Sequence, residues 1–145
     1  MSLTGKCSAI SRSYKVVMNQ FSFPTTILHG QGALTELSER IQEKNLMLVT
    51  DPGLVNAGVV EQALEILAKS GSEFEVYDEV HPNPIEEDVE KGSEFYQNNK
   101  CDGILALGGG SAMDVAKAIR FFVNHPAPLA QYSVLENGAA KITGT

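Results

Sequence analysis

Gly108-Gly109-Gly110-Ser111 joins the apolar run Gly103-Ile104-Leu105-Ala106-Leu107 to a helical pattern that begins at Ala112. Residues without a Cβ let main-chain N–H groups come close to a ligand, and the following helix aims its positive dipole end at the same point. The chemistry this predicts is phosphate binding. A tight strand-to-helix turn is the plainer reading, but one glycine suffices for such a turn. The run is not the usual dinucleotide fingerprint, because Met113 stands where the third glycine would be; nor is it a P-loop, because no Gly-Lys-Ser or Gly-Lys-Thr follows.

Ser111-Ala112-Met113-Asp114 has the form of a capping box, with the serine hydroxyl accepting from an early helix N–H and the carboxylate reaching back. The same hydroxyl can serve a phosphate oxygen. For Asp114 two readings stand, the cap or a sugar hydroxyl, because its charge opposes a pyrophosphate at close range. Lys117 forms a solvated i,i+3 pair with it.

Asp51 closes the apolar run Leu46-Met47-Leu48-Val49, at the strand end where parallel sheets present ligands. It reads either as a turn residue of Asp51-Pro52-Gly53 or as the acceptor for both hydroxyls of an adenosine ribose, where an added 2′-phosphate would be repelled. In the usual Rossmann order the acid follows the glycines, whereas here it precedes them. Asn83-Pro84-Ile85-Glu86 places Asn83 at an N-cap with Pro at N1 and Glu at N3, yet Asn83 also lies on the loop edge shared with Asp51 and Gly109. Cap and cofactor contact both remain open for it. Glu86-Glu87-Asp88 reads as a favourable first helical turn, Gly30-x-Gly32 as a structural turn, and the isolated His29, His81 and His125 as structural residues. No nucleophile arrangement is legible, so the sequence carries a cofactor site without a visible reaction centre.

These residues need elements to hold them. Phe21, Phe23, Ile27 and Leu28 suggest a first strand, interrupted at Pro24, and Leu34, Leu37 and Ile41 the stripe of a helix over 33–44. A buried strand follows at 46–49, then a helix over 58–70 with Val59, Val60, Ala63, Leu64 and Leu67 on one face and Gly71 as its terminator. An alternating strand over 73–77, an acidic helix over 85–99, a strand over 104–107 and a helix over 111–123 complete the order. Strand and helix alternate four times, which predicts an α/β fold: a doubly wound, mainly parallel sheet with right-handed crossovers.

The 145 residues are expected to form one domain over 21–145 behind an N-terminal extension, 1–20, in which Met1-Ser2-Leu3 has the form of a cloning remnant. Eighteen acidic against eleven basic side chains, with no basic stripe, argue against nucleic acid as a partner. No run approaches the length of a membrane span and no secretory signal opens the chain, so a cytoplasmic protein is expected. Cys7 and Cys101 lie in unrelated contexts and read as reduced thiols. The segment 126–145 ends in small polar residues, and the chain reads as cut off before a substrate domain.

Taken together, Gly30-x-Gly32-Ala33-Leu34, Val49-Thr50-Asp51-Pro52-Gly53-Leu54, Pro82-Asn83-Pro84 and Asp102-Gly103-Ile104-x-x-Leu107-Gly108-Gly109-Gly110-Ser111-x-x-Asp114-x-x-Lys117 resemble the iron-containing (group III) alcohol dehydrogenases over residues 21–132. The resemblance implies a Rossmann-like, dehydroquinate synthase-like N-terminal domain that binds NAD(P). It also implies an all-helical C-terminal domain, absent from this chain, that holds iron or zinc through one Asp and three His. By the same resemblance Gly109, Gly110 and Ser111 hold the pyrophosphate, with Gly108 also among the cofactor-binding residues, Asp51 holds the adenosine ribose and favours NAD over NADP, and Asn83 contacts the cofactor. The substrate is then a small alcohol or carbonyl compound, and the protein a homo-oligomer. The family's Thr-Thr-x-Gly-Thr-Gly-Ser-Glu type loop is not reached, since Ile142-Thr143-Gly144-Thr145 lacks its preceding strand. Without metal ligands or catalytic residues, the isolated chain is expected to be inactive.

The nearest alternatives are glycerol dehydrogenase and dehydroquinate synthase, from which Ser111 and Pro82-Asn83-Pro84 turn the reading. A receiver-like module in which Asp51 accepts a phosphoryl group is an alternative of another kind, but Gly108 stands where its lysine would be.

Overall fold

Met47, Leu48 and Val49 are wholly excluded from solvent, which is the signature of a strand covered on both faces. They belong to β1 (Asn45–Val49), the central strand of a three-stranded parallel sheet ordered β2 (Glu73–Tyr77), β1, β3 (Gly103–Ala106). The computed structural model describes residues 25–125, 128–133, 135 and 138–142. In chain order the helices are α1 (Ala33–Ser38), α2 (Pro52–Asn56), α3 (Val59–Leu67, continued by a 3-10 turn over Ala68–Ser70), α4 (Glu86–Asn98) and α5 (Gly110–Phe122). Short 3-10 turns at Leu129–Tyr132 and Gly138–Lys141 follow, and Tyr132 meets Phe121 edge-on at 4.9 Å.

The chain leaves β1 towards β2 on one side and returns from β2 across β1 to β3. Right-handed crossovers therefore put α3 on one face of the sheet and α4 on the other. The packing agrees: α1 and α2 rest against α3, while α5 joins α4. Met47, Val49, Tyr77, Val89, Val115 and Ile119 lie in the core cluster between the sheet and the α4/α5 layer. Gly92 lets that layer close, because a Cβ there would overlap the Ile119 side chain. The expected doubly wound α/β fold is thus present.

Three local expectations are corrected. Ile27 and Leu28 form no strand; they lie 74% and 37% exposed, with no neighbouring strand among the described residues to pair their main chain, and Phe21 and Phe23 fall outside those residues. The helix expected over 33–44 stops at Ser38, whose hydroxyl donates to the carbonyl of Thr35 at 2.7 Å and competes with helix continuation. The Asp51-Pro52-Gly53 turn is instead the start of α2. Asp51 Oδ1 accepts from the Leu54 N–H at 3.1 Å and Pro52 occupies N1, the pattern that opens a helix.

The helix expected over 58–70 is present as α3 and its 3-10 turn, with Val60, Ala63 and Leu67 buried and Val59 39% exposed. Gly71 ends it at φ 78°, in the left-handed region. No helix of the described residues is long and apolar enough to cross a membrane.

Candidate functional site

Parallel register alone brings the two halves of the site together. Val49 pairs with Ala106 and Val49 with Tyr77, so Glu79, Asp51 and Gly108, each two residues further on, stand side by side at the carboxyl edge of the sheet. Between β1 and β3 the chain departs to opposite faces, which is the crevice where open α/β sheets bind ligands. A Cβ built on Gly108 would stand 3.4 Å from Asp51 Oδ2.

A cleft of about 760 Å³ opens here, within the size range of ligand sites. Asp51, Gly53, His81, Pro82, Gly109 and Ser111 are among its walls, together with Glu79, Val80, Asp88, Lys91 and Ala112.

The three glycines differ in what they do. Gly108 is required by the fold: its φ is 152°, and a Cβ would come within 2.9 Å of the Ala112 Cβ. Gly109 has an ordinary extended conformation (φ −81°, ψ −164°) as the N-cap of α5, and Gly110 is the first helical residue. A Cβ on either would meet nothing within 4 Å. Neither conformation nor internal packing asks for glycine at these two places, and the space a side chain would take is left open beside the α5 N-terminus. The first N–H groups of any helix lack intrahelical acceptors, so the arrangement suits an anion.

Ser111 does not form the expected capping box with Asp114. Its hydroxyl donates to the carbonyl of Pro82 at 2.8 Å, and Asp114 instead pairs with Lys117 at 3.2 Å, as the solvated i,i+3 pair expected from the spacing. Asp114 lines a different groove, with Pro84, Ile85 and Leu129. Nor is Asn83 the cap of α4. Ile85 holds that position, and its N–H donates to Asp88 Oδ2 at 3.2 Å. A helix need not begin at the first good capping residue; Asp88, at N3, fixes its start two residues later. Asn83 is left exposed on the loop beside the cleft wall formed by His81 and Pro82.

Asp88 is the residue whose importance the sequence concealed. It is 2% exposed, and besides the Ile85 N–H it accepts from the His81 N–H at 3.3 Å and faces His81 Nδ1 across 2.6 Å. Its main-chain carbonyl accepts from the Tyr77 hydroxyl at 2.9 Å. Burial acts to raise the Asp88 carboxyl, but the hydrogen bonds from the His81 ring and from the Ile85 and His81 N–H groups outweigh it and hold the group below the usual carboxylate range. Burial, reinforced by Glu79, Asp88 and Asp78, pushes the Tyr77 hydroxyl up to about 12. Among an acidic triplet at a helix start nothing local distinguishes Asp88 from Glu86 or Glu87. Its one signal is the i+3 spacing from Ile85.

Among the described residues no group of three His, Cys, Asp or Glu could hold a metal ion. Cys101 is a free thiol in the core, where burial raises it.

The family described as iron-containing alcohol dehydrogenase matches residues 24–144. The chain is 39% identical over 119 residues to choline dehydrogenase of Bacillus subtilis (strain 168), covering 80% of this chain and 30% of that protein. Of solved structures, 1,3-propanediol oxidoreductase superposes with a TM-score of 0.68 at 36% identity, covering 72% of this chain and 28% of that one. Sulfoacetaldehyde reductase from Bifidobacterium kashiwanohense, in complex with NAD+, superposes with a TM-score of 0.71 at 27% identity, covering 81% and 31%. The chain spans roughly three-tenths of the length of the curated relatives it matches.

Proposed function

Since this chain belongs to the iron-containing alcohol dehydrogenase family, we propose that it is the cofactor-binding portion of an NAD-dependent, metal-dependent enzyme that interconverts an alcohol and an aldehyde or ketone. One observation carries the reading. Gly109 and Gly110 leave open space at the start of α5 that neither their backbone conformation nor their neighbours explain. A cradle of this kind fits a diphosphate, whose charge the helix N-terminus favours.

Main-chain N–H groups of Gly109, Gly110 and Ser111 then bind the diphosphate. Asp51 serves with its second oxygen: Oδ1 is held by the Leu54 N–H, while Oδ2, beside Gly108, accepts from the adenosine ribose. A carboxylate there repels a 2′-phosphate, which is the physical basis for NAD over NADP. Asn83, on the loop tethered by Ser111, contacts the cofactor from the opposite wall. Asp114, paired with Lys117 in the neighbouring groove, has no part in this arrangement. NAD, when bound, supplies the hydride acceptor or donor of the reaction.

The described residues do not fit a metal. Metal and substrate binding belong, in this proposal, to residues outside the described set. The cap that Asp51 makes on α2 also explains its position without a phosphoryl-acceptor role.

Calorimetric titration of the 145-residue chain with NAD is the test. Binding in the micromolar to millimolar range, roughly the span of enzyme KM values, is expected. Absence of binding overturns the proposal. Turnover of alcohol by this chain with NAD and iron or zinc would overturn the placement of catalysis elsewhere.

A further inference from the structure

The charged walls of the cleft pose a problem for the ligand proposed above. Asp51, Glu79 and Asp88 line it, and the one lysine among the lining residues, Lys91, is bridged to Glu87 at 2.8 Å. A helix N-terminus offers about half a positive charge, too little to balance a doubly charged diphosphate among three carboxylates. His81 is the remaining wall residue that can become a cation.

Its setting suits that task. The ring is 60% exposed, while the carboxylate that holds it is buried, with Nδ1 2.6 Å from Asp88 Oδ1. A buried carboxylate at that distance accepts a hydrogen bond from the Nδ1–H and fixes the ring, leaving it able to carry a positive charge opposite the Asp88 negative charge. Nε2 has no partner among the described residues, so it is the donor left for a ligand. The backbone is also fixed relative to the glycines, because the carbonyl of the next residue, Pro82, accepts from the Ser111 hydroxyl. Around the ring stand Glu79 after β2, Asp51 after β1, and Glu87, Asp88 and Lys91 on α4; the first turn of α5 brings Gly110, Ser111, Ala112 and Met113, none of them ionisable.

We propose that His81, held by Asp88, is a cationic contact for the diphosphate of the cofactor, so that NAD binding takes up a proton at this imidazole. The inference rests on the proposed cofactor site and adds a residue and a pH dependence to it.

NAD titrations of the full 145-residue chain at about pH 5.5 and about pH 8.5 bracket the range in which histidines ordinarily change charge. Wild-type affinity is expected to fall about tenfold across that range; one linked proton per binding event allows at most about tenfold for each pH unit. His81→Gln should bind at the weak level at both pH values, and His81→Arg, a permanent cation, at the tight level at both. Equal affinities for all three proteins at both pH values would overturn the role of His81 and leave the cofactor site standing. No NAD binding by the wild type at either pH would overturn the cofactor site itself. Should His81→Gln fail to fold, calorimetry of the wild type in two buffers of different ionisation heat decides: proton uptake on binding is expected, and its absence refutes the inference.

Discussion

Ser111, on the first turn of α5, donates its hydroxyl to the carbonyl of Pro82, on the loop between β2 and α4, at 2.8 Å. That bond joins the glycine turn to the loop that carries His81 and Asn83. Ser111→Ala is expected to leave α5 formed, since the serine is not its cap, while lowering stability by about 1 kcal/mol for the lost hydrogen bond. NAD affinity should fall several-fold as the loop loses its tether. Paired urea unfolding and NAD titration would show it.

Gly108 and Gly109 are predicted to respond oppositely to the same substitution. Gly108→Ala forces a Cβ against Ala112 at a backbone conformation that side chains avoid, and should cost roughly 1–3 kcal/mol of stability. Gly109→Ala meets no atom, so stability should change by no more than about 1 kcal/mol, while NAD affinity drops about tenfold or more. Equal NAD binding by Gly109→Ala and wild type would remove the main support for the anion cradle.

Asp51 has two duties that a conservative change can separate. Asn caps helices about as well as Asp, so Asp51→Asn should preserve α2 and stability, whereas Asp51→Ala should cost about 1 kcal/mol. Removing the charge is expected to raise the affinity for NADP relative to NAD, read as the ratio of the two dissociation constants for each variant. An unchanged ratio in Asp51→Asn would mean that the carboxylate does not meet the 2′ position.

Asp88 predicts an acid limit to stability. Its carboxyl lies below the usual range in the folded chain, against about 3.9 when unfolded, so its contribution is complete above the unfolded value and is lost as pH falls through the folded one. Urea midpoints should therefore hold steady above about pH 5 and decline below about pH 4. Asp88→Asn should blunt that decline. At neutral pH it should cost roughly 1–3 kcal/mol, because the His81 and Ile85 contacts lose their charged acceptor.

Much of the architecture was readable from local pattern. The continuous apolar run over 46–49 announced a strand buried on both faces, and β1 is that strand. The 3.6-residue stripes of α3 and α5 and the breaks at Gly71 and after Val123 located two helices closely. Where local reading erred, a long-range or side-chain partner had the deciding vote. Ser38 turned back on Thr35, Asp51 reached forward to Leu54, and Asp88 put the cap of α4 at Ile85, which closes the capping alternative for Asn83. The Asp51-Pro52 pair did contain the helix-start pattern that would have revealed α2.

The sequence by itself determined the kind of chemistry on offer: glycines followed by a helix start, an acid at a strand end and an asparagine between prolines, all on the same edge of an α/β sheet. These follow from composition and period, which are local properties. Only the tertiary structure decided which groups meet. Parallel register set Asp51 beside Gly108, the Ser111 hydroxyl found Pro82 instead of its own helix, and Asp88 closed on His81. Contacts between residues far apart in the chain depend on how strands align and helices dock, and no window of neighbouring residues records that alignment.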